Sequence, residues 1–161
     1  MAIEGKDEKY SGRIRLGMVG GGTGAFIGYV HRIASRIDGD YQLVAGALSS
    51  RAEVARESGK NLGLAEDRIY TDFAEMARAE AAREDGIEAV AIVTPNHMHF
   101  APAKAFLEAG IHVICDKPLT SSIEDAHALK KVQPKNGAKF LLTHNYTGYP
   151  LIRQARALIE S

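Results

Sequence analysis

The residues of this sequence that can do chemistry sit in short clusters at the ends of apolar runs. The first cluster is Gly20-Gly21-Gly22-Thr23-Gly24-Ala25-Phe26-Ile27-Gly28. It follows the run Ile14–Val19 and leads into a stripe at helical spacing: Phe26, Ile27, Val30, Ile33, Ala34 and Ile37. Glycines between a strand and a helix let the main chain turn tightly and approach a pyrophosphate with no Cβ in the way. The N–H groups and positive end of the helix then hold the anion. Gly20-x-Gly22-x-x-Ala25 satisfies the G-x-G-x-x-G/A form, and Gly28 is the packing glycine if the loop carries an insertion. The bland alternative is a flexible turn, and the position between a strand and an amphipathic helix speaks against it. Contacts to a nucleotide are therefore expected from Gly20, Gly22, Thr23, Gly24, Ala25, Phe26 and Ile27.

A second cluster, Ser49-Ser50-Arg51, closes the next apolar run. In NAD sites a carboxylate about 20 residues past the loop normally holds the adenosine ribose, whereas a nearby arginine accommodates a 2′-phosphate. No acid stands here, and two hydroxyls with a guanidinium suit a phosphate through charge-assisted hydrogen bonds. The expectation is NAD(P), tilted toward NADP. In the alternative, Ser50 caps the following helix and Arg51 is solvated.

These clusters need strands and helices to position them, and the sequence supplies an alternating set. Apolar runs at Ile14–Val19, Leu43–Leu48, Ala89–Val93, Ile111–Cys115 and Phe140–Thr143 are continuous, as in parallel strands covered on both faces. Ala52–Leu62 and Asp72–Arg83 read as helices, the second opened by Asp72 with Glu75. Pro102 just inside the next helix and Gly110 just past it mark a start and a stop. Ser121 with Glu124 opens a helix toward Gln133, and Ile69–Tyr70 offers an additional short strand. Repeated β-α units predict an α/β fold, a doubly wound, mostly parallel Rossmann sheet in three layers.

The bulk numbers narrow the partners. The chain has 161 residues, 45% hydrophobic, enough for one domain with a real core. Twenty Lys and Arg balance 20 Asp and Glu, so no net field favours nucleic acid or an anionic membrane. No apolar run approaches the ~20 residues that span a bilayer. Residues 1–12 are polar, with no apolar region of a signal peptide, and are expected to form a disordered tail. A lone cysteine, Cys115, excludes an internal disulfide and suits a reducing, cytoplasmic setting. No residue is assigned to a metal.

Three further clusters fall at later strand ends: Val93-Thr94-Pro95-Asn96-His97-Met98-His99, Ala109-Gly110-Ile111-His112-Val113-Ile114-Cys115-Asp116-Lys117-Pro118, and Thr143-His144-Asn145-Tyr146. With the glycine loop, and in this order, they resemble the glucose-fructose oxidoreductase / inositol dehydrogenase / rhizopine-catabolism (Gfo/Idh/MocA) family, across essentially Arg13 to Ile159. The resemblance implies a two-domain enzyme that moves hydride between NAD(P) and a sugar, polyol or related hydroxyl compound. It places Lys117 beside the nicotinamide and the reacting oxygen as the catalytic residue. There an ammonium stabilises the alkoxide character of the substrate oxygen during hydride transfer. It also implies that Thr94, Pro95, Asn96 and His99 line the dinucleotide path and that Asp116 and Asn145 lie close to the coenzyme. For His99 the alternative is a cap on the following helix. His31 and His112 match family positions and are expected to serve packing; Cys115 is expected to be an inert small hydrophobe.

Two departures stand out. Asp116 replaces the more frequent glutamate, and Asn145-Tyr146-Thr147-Gly148 lacks the arginine of the family's N-Y-R-F stretch. Residues 13–149 read as the NAD(P)-binding domain and 150–161 as the start of a connection to a second, substrate-binding domain, expected to be missing. Without that domain the chain alone is expected to be inactive, and its uncovered sheet face to favour self-association as a homo-oligomer. Two other classes compete: a non-catalytic module that senses or stores NAD(P), and a methyl-donor-binding Rossmann enzyme. The missing acid after the second strand and the Asp-Lys-Pro stretch count against the latter.

Overall fold

The continuous apolar runs form the five strands of one parallel sheet: β1 (Ile14–Gly20), β2 (Tyr41–Ala47), β3 (Ala89–Val93), β4 (His112–Asp116) and β5 (Phe140–Thr143). The computed structural model describes residues 12–161, so the tail expected at 1–12 lies outside the described residues apart from Gly12. Strand order is β2-β1-β3-β4-β5. The chain leaves β1 toward β2 on one side and later returns to place β3 on the other. The carboxyl ends of β1 and β3 therefore flank a topological switch point, where open α/β sheets bind ligands. Among the described residues, six α-helices connect or follow the strands: α1 (Phe26–Ile37), α2 (Ala52–Asn61), α3 (Phe73–Ala81), α4 (Phe100–Ala109), α5 (Ile123–Lys130) and α6 (Pro150–Glu160).

Strand alternation divides the core. Val90, Ile92, Val113 and Cys115 turn toward α3, α4 and α5, where they meet Met76, Ala77, Ala103, Phe106, Leu107 and Leu129. Leu16, Met18, Ala89, Ala91 and Val93 turn the other way, where Ile27 of α1 packs on them. β3 is buried at all five positions, which is why its sequence shows no polar alternation. The α1 side is more open: Val30, Ile33 and Ile37 remain exposed there, and α6 buries none of its residues. Among the described residues, no helix is long and apolar enough to cross a membrane.

Local signals were met closely where one residue type decides them. Asp72 Oδ1 accepts the Glu75 amide at 2.7 Å and caps α3, and Gly110 ends α4 in the left-handed region at φ 86°. Three expectations shift. The cap of α5 is Ser122, accepting from the Asp125 amide at 3.1 Å, instead of Ser121 with Glu124. Here the Thr120 hydroxyl donates to the Ser122 carbonyl and holds Ser122 extended. α5 stops at Lys130, short of Gln133, because Pro134 disfavours helix in the residue before it. Ile69–Tyr70 makes only a single parallel bridge, Gly46 to Ile69. It is squeezed between the helical turn Glu66–Arg68 and the Asp72 cap.

A buried polar knot ties that region together. Glu80 accepts from Arg68 Nε (3.1 Å) and Nη2, from the Tyr70 hydroxyl (2.9 Å) and from the Ile87 amide (3.1 Å). Four donors satisfy both carboxylate oxygens, the condition under which a buried charge is tolerated.

Candidate functional site

β1 delivers the glycines to the switch point in conformations that require them. Gly20 and Gly21 take φ 78° and 74°, and Gly24 takes 83°, all in the left-handed region. A Cβ on Gly22 would stand 2.8 Å from the Leu48 carbonyl oxygen, so side chains are excluded there too. Gly28, one turn into α1, lies so close to Gly21 that a Cβ would overlap its main chain. Gly28 is therefore the packing glycine. Ala25, which the literal motif put in that role, is the extended residue that precedes α1. No side chain caps α1, so its first-turn amides have no side-chain acceptor.

Two residues that sequence reasoning missed hold this loop. Ser58 of α2 accepts from the Thr23 amide at 2.9 Å and meets the Thr23 hydroxyl at 3.1 Å. The Thr23 amide is thus spent inside the protein and is not free for an anion. Arg32 donates from Nη1 to the Gly21 carbonyl at 2.7 Å, and burial lowers its pKa. Neither carries a local signal, because each partner lies distant in the chain.

The expected residues gather in two clefts. One, of 540 Å³, is lined by Gly20, Gly22, Thr23 and Ala25, by Ser49, Ser50 and Arg51, and by Thr94 and Pro95. Ser49 Oγ accepts the Arg51 amide at 3.1 Å and closes the turn after β2. The capping alternative for Ser50 is not realised: Arg51 precedes α2, with no side-chain cap. The Thr94 hydroxyl donates to the Met98 carbonyl at 3.0 Å and shapes the turn that carries Asn96. Gly24, Phe26 and Asn96 are exposed and line neither cleft.

The other cleft, of 370 Å³, runs along α1 over the sheet and contains Ile27, His31, Asp116, Lys117, Thr143 and Asn145. Lys117 follows the last residue of β4, and the Lys117–Pro118 bond is cis. Asp116 accepts from the Thr143 hydroxyl at 2.9 Å and lies 3.7 Å from His31 Nε2. Burial lowers the His31 pKa below its ordinary value, with Asp116 acting in the opposite sense. His31 was expected to serve packing alone; the fold instead brings it to the carboxylate next to Lys117.

His99 lines neither cleft, and although it is the residue at the N-terminus of α4 its side chain makes no cap there, so the capping alternative is not realised. It is 1% exposed, with Nδ1 2.7 Å from the Pro118 carbonyl oxygen and Nε2 3.0 Å from that of Thr94. His112 accepts the Lys139 amide at 2.9 Å, a strand-edge contact as expected. Cys115 is buried, and burial pushes its thiol up to about 12, so it is the inert hydrophobe anticipated.

The arrangement has the shape of a dinucleotide site. An oxidoreductase family model with an NAD-binding Rossmann fold matches residues 14–154. An oxidoreductase from Sinorhizobium meliloti is 66% identical, with a TM-score of 0.85 over 92% of this chain and 41% of that one. An inositol dehydrogenase homologue from Azotobacter vinelandii, solved with NAD+ and also with NADH and myo-inositol, is 43% identical. Its NAD+ complex superposes with a TM-score of 0.86 over 94% of this chain and 39% of that one. The uncharacterized oxidoreductase YfiI of Bacillus subtilis strain 168 is 42% identical over 91% of this chain and 38% of its own length. The chain thus spans about two fifths of the relatives it matches.

Proposed function

The chain belongs to the Gfo/Idh/MocA oxidoreductases with an NAD-binding Rossmann fold, and from that premise we propose that it lays a nicotinamide dinucleotide across its two clefts for hydride exchange with a sugar or polyol. The observation that carries this reading is the glycine loop: left-handed glycines at the switch point, with Gly22 packed too closely on Leu48 and Ser58, and Gly21 and Gly28 on one another, to carry a Cβ, lead into a helix with no side-chain cap. The residues present fit the coenzyme. Gly20, Gly22 and the first-turn amides of α1 would hold the pyrophosphate, with Thr94 and Pro95 as the facing wall. The coenzyme supplies the hydride chemistry when bound.

Lys117 and Asn145 serve the reacting end. The ammonium of Lys117 donates to the substrate oxygen and offsets the negative charge that grows there as hydride is added to the carbonyl carbon, and in the reverse direction it stabilises the alkoxide from which hydride leaves. Asp116, held by Thr143, keeps a carboxylate beside that lysine. The A. vinelandii homologue was solved with myo-inositol, which supports a polyol as the substrate class.

For the adenosine end, Ser49, Ser50 and Arg51 are read as a seat for a 2′-phosphate, with no carboxylate in that turn to repel it. The same homologue was solved with NAD+, so both coenzymes belong in the test. In the purified protein, NADPH is expected to bind more tightly than NADH, with Arg51→Ala weakening NADPH alone by roughly tenfold. NADH binding at least as tight overturns the phosphate seat, and absence of binding by either overturns the dinucleotide reading. In the full-length enzyme, with a panel of polyols and sugars, Lys117→Ala is expected to keep coenzyme affinity and to lower kcat by about a hundredfold or more. Normal turnover in that variant removes Lys117 from the chemistry.

A further inference from the structure

His99 is buried, polar and outside both clefts, yet it touches the two turns on which they depend. Its Nδ1 lies 2.7 Å from the carbonyl oxygen of Pro118, the residue after Lys117. Its Nε2 lies 3.0 Å from the carbonyl oxygen of Thr94, at the end of β3. Carbonyl oxygens only accept, so each bonding ring nitrogen must carry a hydrogen; a neutral ring can serve one partner and an imidazolium both. The β3 end is a firm anchor, since all five residues of that strand are buried. The Lys117 turn, by contrast, holds exposed residues beyond the sheet. A strap from a rigid strand end to a looser turn fixes where that turn sits, and a displacement of about 1 Å at a reacting centre can cost on the order of a hundredfold in rate.

We propose that His99 is a positioning residue that holds the Lys117–Pro118 turn against the Thr94–Pro95 turn, so that the turn's main chain forms a wall for the nicotinamide ring. The proposal rests on the reading of Lys117 given above. The strap concerns the nicotinamide end only, and this separates it from a general contribution to folding.

The test compares two ligands on the purified protein: the preferred reduced coenzyme, and the matching ADP-ribose (2′-phosphorylated if NADPH is preferred), which lacks the nicotinamide. Calorimetric affinities are measured for His99→Leu and for His99→Gln, which keeps an N–H donor, alongside thermal unfolding. In His99→Leu the ADP-ribose affinity stays within about twofold while the coenzyme-to-ADP-ribose ratio falls roughly five- to tenfold, and His99→Gln restores part of the ratio. A parallel fall in both affinities and in Tm makes His99 merely structural and overturns the proposal, as does an unchanged ratio. Lys117→Ala leaves the turn's main chain in place, so it keeps the ratio and loses only turnover. Full turnover in Lys117→Ala of the full-length enzyme sinks the underlying reading whatever His99 does, and an unmoved ratio in the His99 variants sinks only the strap.

Discussion

His31 and Asp116 show how much of the site depends on individual side chains brought together across the fold. His31 is mostly buried, and burial lowers its pKa below the ordinary 6.5, with the Asp116 carboxylate offsetting part of that. The unfolded chain accepts a proton that the folded protein resists. Stability present above 6.5 is therefore lost as pH falls from there through the lower folded value. Thermal unfolding followed from neutral into mildly acidic buffer should show the midpoint drop, and His31→Gln should flatten the drop relative to the parent. Identical slopes in the two proteins would remove His31 as the cause. The sequence marked His31 only as a match to a family position expected to serve packing. That it faces Asp116 follows from α1 lying over the carboxyl end of β4, which no local pattern states.

Helix starts were legible to within a residue, and the one-residue error has a physical cause. Ser121 and Ser122 are adjacent, and each has an acid three positions on, Glu124 and Asp125, so the capping signal is degenerate. The structure selects Ser122 because its backbone is extended and its hydroxyl accepts the Asp125 amide. Ser122→Ala should cost about 1 kcal/mol by chemical denaturation, whereas Ser121→Ala should be within about 0.5 kcal/mol of the parent. The reverse ranking would restore the original reading. The α1 start carries the opposite lesson. Its glycines were readable because left-handed φ values and close backbone approach demand that residue type; the choice between Ala25 and Gly28 as the packing position stayed open, because it depends on how the helix docks on Gly21.

Across the whole molecule, the knot around Glu80 joins the turn Glu66–Arg68, the bridge at Ile69–Tyr70, α3 and the approach to β3. Glu80→Ala leaves the Arg68 guanidinium and the Ile87 amide without their shared acceptor. It should destabilise the fold by about 3–5 kcal/mol, read as a lower denaturant midpoint. A loss under about 1 kcal/mol would mean that water or the neighbouring Asp85 replaces the carboxylate. The sequence by itself determined the α/β class, the strand positions and the glycine loop, because burial on both faces and backbone conformation select residue types locally. It could not determine which polar groups meet. Thr23 with Ser58, His31 with Asp116, and His99 with Thr94 and Pro118 are joined by strand order and helix docking. Such partners are chosen by distance in space, and the tertiary structure alone sets that distance.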